Sequence, residues 1–186
     1  DGSSTIDASG NVNIETTASA NGTTTVLHKE FSVAFGMAHA NADTKIDGST
    51  IIRAKGNVLV RSDSETNAAV TARTSTYADQ QKNTLSLAIS KTDLVSHVTI
   101  NKDTVIHADG SVNVFSAGNN TATGNAEYSI WDKGDAKGTG GATIAVSHGE
   151  SDVKASVHGI MISDTDVKST FISSAENTFD KTNVSN

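Results

Sequence analysis

Thr50–Val60 reads T-I-I-R-A-K-G-N-V-L-V, and the same figure returns without a gap as S-T-I-D-A-S-G-N-V-N-I from Ser4 and T-V-I-H-A-D-G-S-V-N-V from Thr104. In each copy the apolar side chains alternate on either side of a Gly: Ile52 and Ala54 share one face before it, and Val58 and Val60 share one after it. That is the period of a strand, in which every second residue faces the same way. Across copies, Ile6, Ile52 and Ile106 correspond, as do Ala8, Ala54 and Ala108, Gly10, Gly56 and Gly110, and Val12, Val58 and Val112.

A second block precedes this figure in two copies and recurs once more. It runs V-A-F-G-M-A-H-A-N-A-D-T-K-I from Val33, L-A-I-S-K-T-D-L-V-S-H-V-T-I from Leu87 and I-A-V-S-H-G-E-S-D-V-K-A-S-V from Ile144. Its ends are always 13 apart (46 − 33, 100 − 87, 157 − 144), while the connection leading into it lengthens from 19 to 27 to 30 (33 − 14, 87 − 60, 144 − 114). Constant spacing beside a variable connection is the mark of repeats that are held by packing and carry their insertions on one side. The organisation expected is a single repetitive β region over 1–186, with blocks 4–14, 33–60, 87–114 and 144–157 and a degenerate tail 163–186 in which Ser163–Val167 shortens the figure.

Thr, Ser, Asn and Gly dominate, which weakens every helix signal, and there is no Pro, so Gly, Asn and Asp must make the turns. The expectation is an all-β chain, a parallel β-helix (β-solenoid) of repeats of about 54–57 residues. The alternative is an antiparallel β-sandwich. Each constant part divides into about four runs of strand character. With a coil of roughly 20–30 residues, each repeat supplies two coils, and six or seven coils stand on the order of 30 Å tall. Ile52, Val58, Val60, Ile106, Val112 and Val114 belong inside, Arg53, Lys55 and His107 outside. Gly10, Gly56 and Gly110 are expected to share a positive φ, cheap only for Gly.

Composition narrows function. A net charge of −7 has the wrong sign for a phosphate backbone, so nucleic acid is not an expected partner. No stretch approaches the roughly 18 apolar residues of a membrane-spanning helix, and no membrane insertion is expected. Without Cys there are no disulfides or thiolate metal sites. The start at Asp1 reads as a mature or excised segment of something longer.

The candidates for chemistry are few. His28, His39, His97, His107, His148 and His158 sit at different repeat positions without metal-ligand spacing and read as solvated strand residues. A calcium site would draw on Asp164 and Asp166 or the Asp-Gly pairs at Asp1, Asp47 and Asp109, but neither an EF-hand nor a G-G-x-G-x-D nonapeptide is present. Turn-making accounts for these Asp residues, and no cofactor is expected. Tyr128, Trp131 and Asp132, with Asp135 nearby, form the only aromatic and acidic cluster and are the candidate glycan-binding loop. Two carboxylates on a Gly-rich loop lack the rigid geometry of glycoside cleavage, so the chain is not expected to be an enzyme.

From Leu87 to Val114 the text resembles the repeats of giant bacterial exoproteins of the filamentous haemagglutinin and LEPR-XLL kind, with an A-V-A-V-like segment, a turn, and then x-V-x-A-x-G-x-V-x-V. The resemblance extends over Val33–Val157 and Ser4–Ile14. It implies a secreted or surface-anchored β-helical rod, extracellular, acting in adhesion, biofilm or envelope scaffolding. Its expected partners are flanking repeats or identical copies stacked end to end, with surface glycans as the ligand of the alternative, a carbohydrate-binding module.

Overall fold

A computed structural model describes the backbone of residues 3–77, 83–131 and 141–185 and the side chains of residues 3–75, 83–129 and 141–167. Every helix or strand among them is a strand. A short sheet contains β1 (Ser3–Ala8), β4 (Ser49–Ala54), β7 (Val105–Ala108) and β10 (Ile160–Ser163) in that order. A first long sheet contains β2 (Val12–His28), β5 (Val58–Tyr77), β8 (Val112–Trp131) and β11 (Val167–Ser185). A second long sheet contains β3 (Phe31–Ile46), β6 (Thr84–Ile100) and β9 (Gly141–Val157). The chain visits short, first long and second long sheet in turn, then repeats the circuit one strand further on. All pairings between these strands are parallel, which removes the antiparallel sandwich.

The pairings follow the repeat alignment residue for residue. Ile6 lies against Ile52 and Ile52 against Ile106. Val12, Val58 and Val112 form one row, and Val33, Leu87 and Ile144 another. The period, however, is one circuit per repeat and not two coils: partners on successive strands are 46 and then 54 residues apart. Four strands stacked at about 4.8 Å span only ~14 Å between the first and last, half the expected height. The short runs read from the sequence are pieces of long strands. β3 takes 16 residues, and β5 and β8 take 20 each.

Two kinds of interior result. Where the short sheet meets the start of the first long sheet and the end of the second, aliphatic side chains fill a wide corner. Ile52, Ile106, Ile100, Val58, Val112 and Val98 are fully buried there. Arg53 and Lys55 are exposed and His107 is half-buried on the outer side. Away from that corner the two long sheets face each other directly and, apart from the larger Leu94, Val70 and Asn120, the inward rows are mostly Ala, Ser, Thr and Gly. In β3 these are Ser32, Ala34, Gly36, Ala38, Ala40 and Ala42, all buried. The sheets are close enough for a Cβ placed on Gly22 to lie 2.9 Å from the backbone O of Met37 on the opposite sheet. Hydroxyls span the gap: Ser62 Oγ donates to Ala42 O (2.8 Å), Thr44 Oγ1 to Arg61 O (2.8 Å) and Ser116 Oγ to Ser96 O (2.7 Å). Asn120, buried, donates to Glu150 O (2.6 Å) while its Oδ1 accepts from Thr66 Oγ1 (2.6 Å).

Two further expectations change. The only Gly with positive φ among the described residues is Gly48, at 70°. At Gly56 and Gly110 it is the neighbouring strand that excludes a side chain, because a Cβ there would come within 3.0 Å of the backbone at Gly10 or Gly56 and collide with the Asn11 or Asn57 side-chain oxygen. Those Asn side chains stitch the corner, with Asn57 N donating to Asn11 Oδ1 and Ser111 N to Asn57 Oδ1, both 2.8 Å. Nor is the figure shortened in the tail. Met161 pairs with Ile106, Ser163 with Ala108 and Val167 with Val112, so Thr165 stands in the Gly column and β11 runs beside β8. Here Ser163 Oγ accepts from Thr165 N (3.0 Å) and Asp166 N (2.9 Å), a side-chain turn in place of the Gly turn. Beyond these expectations, Val33, Leu87 and Ile144, in register with one another, face outward, Val33 and Ile144 exposed and Leu87 half-buried.

Candidate interaction surfaces

That outward orientation creates the most apolar surface among the described residues. Because the gap between the long sheets is filled mostly by small side chains, with Leu94 and Val70 seated opposite Gly118 and Gly36, the bulky residues of β3 take the other side of the pleat. Its outer face carries Phe31, Val33, Phe35 and Met37 on β3, of which Phe35 and Met37 are 56% and 58% exposed. Beside them in register lie Leu85, Leu87 and Ile89 on β6, then Ile144 and Val146 on β9. Scattered exposed apolar residues are ordinary, but a contiguous block over three strands marks a contact surface.

Further along the same strands the face turns charged. His39 Nδ1 lies 3.2 Å from Asp93 Oδ2 on the next strand, and His148 Nε2 lies 3.0 Å from Glu150 Oε1. That hydrogen bond to His148, with the charge of Lys91 nearby, holds Glu150 below the usual carboxylate range. At the corner that follows, Lys45 Nζ is 2.7 Å from Asp47 Oδ2, and Asn101 Nδ2 donates to Asp47 Oδ1 (2.5 Å). Lys45 foremost, then Asn101 and the Gly48 N–H, lower the Asp47 pKa to about 2. The outer face of the first long sheet is polar by contrast, with Arg61 paired to Asp63 (2.5 Å) and Arg73 to Glu127 (2.7 Å).

Tyr128 stands in the inward-facing row of β8, half-buried against Gly141. Trp131 ends β8 beside Tyr77. The Trp131 side chain, together with Asp132 and Asp135, lies outside the described residues. Asp164 and Asp166 are exposed at the turn made by Ser163. Among the described residues no three His, Asp or Glu side chains converge as metal ligands, and no helix is long and apolar enough to cross a membrane. A shallow recess of about 390 Å³ over the short sheet is lined by Asp7, Ser9, Arg53, Lys55, His107 and Asp109; Arg53 is already paired with Asp7 (3.3 Å).

The remaining feature is the pair of open ends. Among the described strands, β1, β2 and β3 have a neighbour on one side only, and β9, β10 and β11 have one only on the other. Sequence patterning located the ladder and its register. It missed the apolar outer face, although the signal was present: between Ser32 and Thr44 every second residue is small. No family model, curated protein sequence or solved structure matches this chain.

Proposed function

We propose that this chain is a segment of a β-solenoid rod belonging to a large secreted or surface-anchored bacterial protein, with a structural or adhesive role and no catalytic one. The observation that carries the reading is the stacking of equivalent repeat positions, circuit upon circuit, between two open edges. An open parallel edge offers a row of unpaired N–H and C=O groups that a further circuit satisfies. The further circuit is either flanking repeat sequence or a second copy stacked head to tail, and an unclosed contact of that kind grows into a fibre. The resemblance of Leu87–Val114 to exoprotein repeats supports the extracellular placement.

The test is the mass of the purified chain across a concentration series, with electron microscopy and fibre diffraction on the concentrated sample. The expected outcome is axial growth and a reflection near 4.8 Å along the fibre axis. A single species of constant mass with no filaments counts against stacking of copies. Microscopy of a chain extended by neighbouring repeats then decides whether flanking sequence lengthens the same ladder.

A further inference from the structure

We propose that the outer face of the second long sheet is a self-pairing surface, on which a second copy of this chain lies face to face with its stack running in the opposite direction. The contact is lateral, so it stands or falls apart from the end-to-end growth above.

Size is the first argument. The face is 16 residues long on β3 and three strands wide. At about 3.3 Å per residue and ~4.8 Å per strand that is on the order of 750 Å², close to the ~800 Å² per partner of a standard interface. The apolar half alone is less than half of this, so a stable contact needs the charged half too.

Complementarity then selects the arrangement. A two-fold axis parallel to the stack reverses the strands and, placed at mid-face, lays the apolar half of one copy on the charged half of the other. A two-fold axis along β6 keeps the strand direction, so the apolar half covers the apolar half except where Met37 meets His148, and it exchanges β3 with β9. The register then sets Val33 over Ile144 of the second copy and Phe35 over its Val146. In the charged half the same operation sets His39 over Glu150 and Asp43 over Lys154, each opposition occurring twice. On the axis Leu87 meets its own copy, while Lys91 and Asp93 meet theirs one row from the opposite charge. Apolar halves that cover each other, and an Asp43–Lys154 opposition made twice, are what a self-complementary surface requires.

Leu87 separates this contact from axial stacking. In end-to-end stacks β9 of one copy adjoins β3 of the next, so a Val33–Ile144 cross-link does not discriminate, whereas two Leu87 positions come together only across the axis. The chain has no Cys, so Leu87→Cys supplies a single thiol. A bismaleimide about 10 Å long, the spacing of packed sheets, is expected to give a covalent dimer. Leu59→Cys, on the outer face of the first long sheet, is expected to give none. Leu87→Lys, which sets two ammonium groups together, is expected to halve the mass of the lateral dimer in sedimentation while leaving axial growth unchanged. Absence of the Leu87→Cys dimer, or an unchanged mass for Leu87→Lys, overturns the proposal. So does a wild-type monomer that sediments with phosphatidylcholine vesicles and loses that binding in Leu87→Lys, which assigns the face to lipid.

Discussion

The aliphatic corner beside the short sheet and the narrow gap between the long sheets are both buried, yet they are held by different physics. In the corner, Ile and Val side chains from three sheets remove a large apolar area from water and stabilise at roughly 25 cal/mol per Å². In the gap the apolar area is thinner, mostly Ala side chains with Val70 and Leu94. Close backbone approach gives dispersion contacts, and Ser, Thr and Asn reach the facing carbonyls, so each residue stabilises less and tolerates less change in size or hydrogen bonding. One parallel ladder thus accommodates a wide oily filling and a thin polar one, and the difference can be broken by substitution.

The largest effect is expected in the corner. Ile106→Ala, on an interior strand with neighbours above and below, is expected to cost about 2–5 kcal/mol through lost burial and a cavity, read from the shift of the urea midpoint. A loss below ~1 kcal/mol would mean that the corner collapses onto cavities and resembles the gap more closely than its side chains suggest.

In the gap, Asn120→Ala is expected to cost about 2–3 kcal/mol although it removes almost no apolar surface, since the Thr66 hydroxyl and the Glu150 carbonyl lose a buried partner. Adding a single methyl sharpens the contrast. Gly22→Ala, with its Cβ 2.9 Å from the Met37 carbonyl O, is expected to destabilise by about 1–3 kcal/mol. Gly10→Ala, which meets nothing within 4 Å, is expected to be near neutral by the same measurement.

The smallest effect concerns the turn that closes the corner. The Asp47 carboxyl, at about 2 against an ordinary 3.8, is depressed in the folded state. Its contribution is therefore fully present above the unfolded value and is lost as pH falls from near 4 to near 2. Asp47→Asn is expected to flatten the acid limb of a melting-temperature profile between those limits, with a slightly lower melting temperature than the parent at neutral pH and convergence with it near pH 2. An identical acid limb in the variant would show that the exposed pair with Lys45 does not couple to folding.

How much of this was legible in the text differs between the same two regions. Ile6, Ile52 and Ile106, with their Val12, Val58 and Val112 partners, announce themselves by hydrophobicity and period, and their register follows from alignment alone. The gap is encoded by smallness. Ala34, Gly36, Ala38, Ala40 and Ala42 alternate with Phe, Met, His and Asn, so a search for large inward apolar side chains passes over the row that faces the gap. The same blindness divided strands of 16–20 residues into short runs and doubled the number of coils. Tyr128, read as part of a loop with Trp131 and Asp132, continues the inward row of β8, a parity that emerges only once the whole strand is counted from Val112.

Because partners on neighbouring strands are 46 to 57 residues apart, few contacts are available to a newly made stretch of chain on its own. The first two circuits must meet across that separation before any ladder bond forms, so their meeting is the slow step of folding. Every later circuit finds a finished edge to lie on and adds at far smaller entropic cost. The molecule therefore folds as a crystal grows, from a seed outward, and a preformed edge at either end would act as that seed.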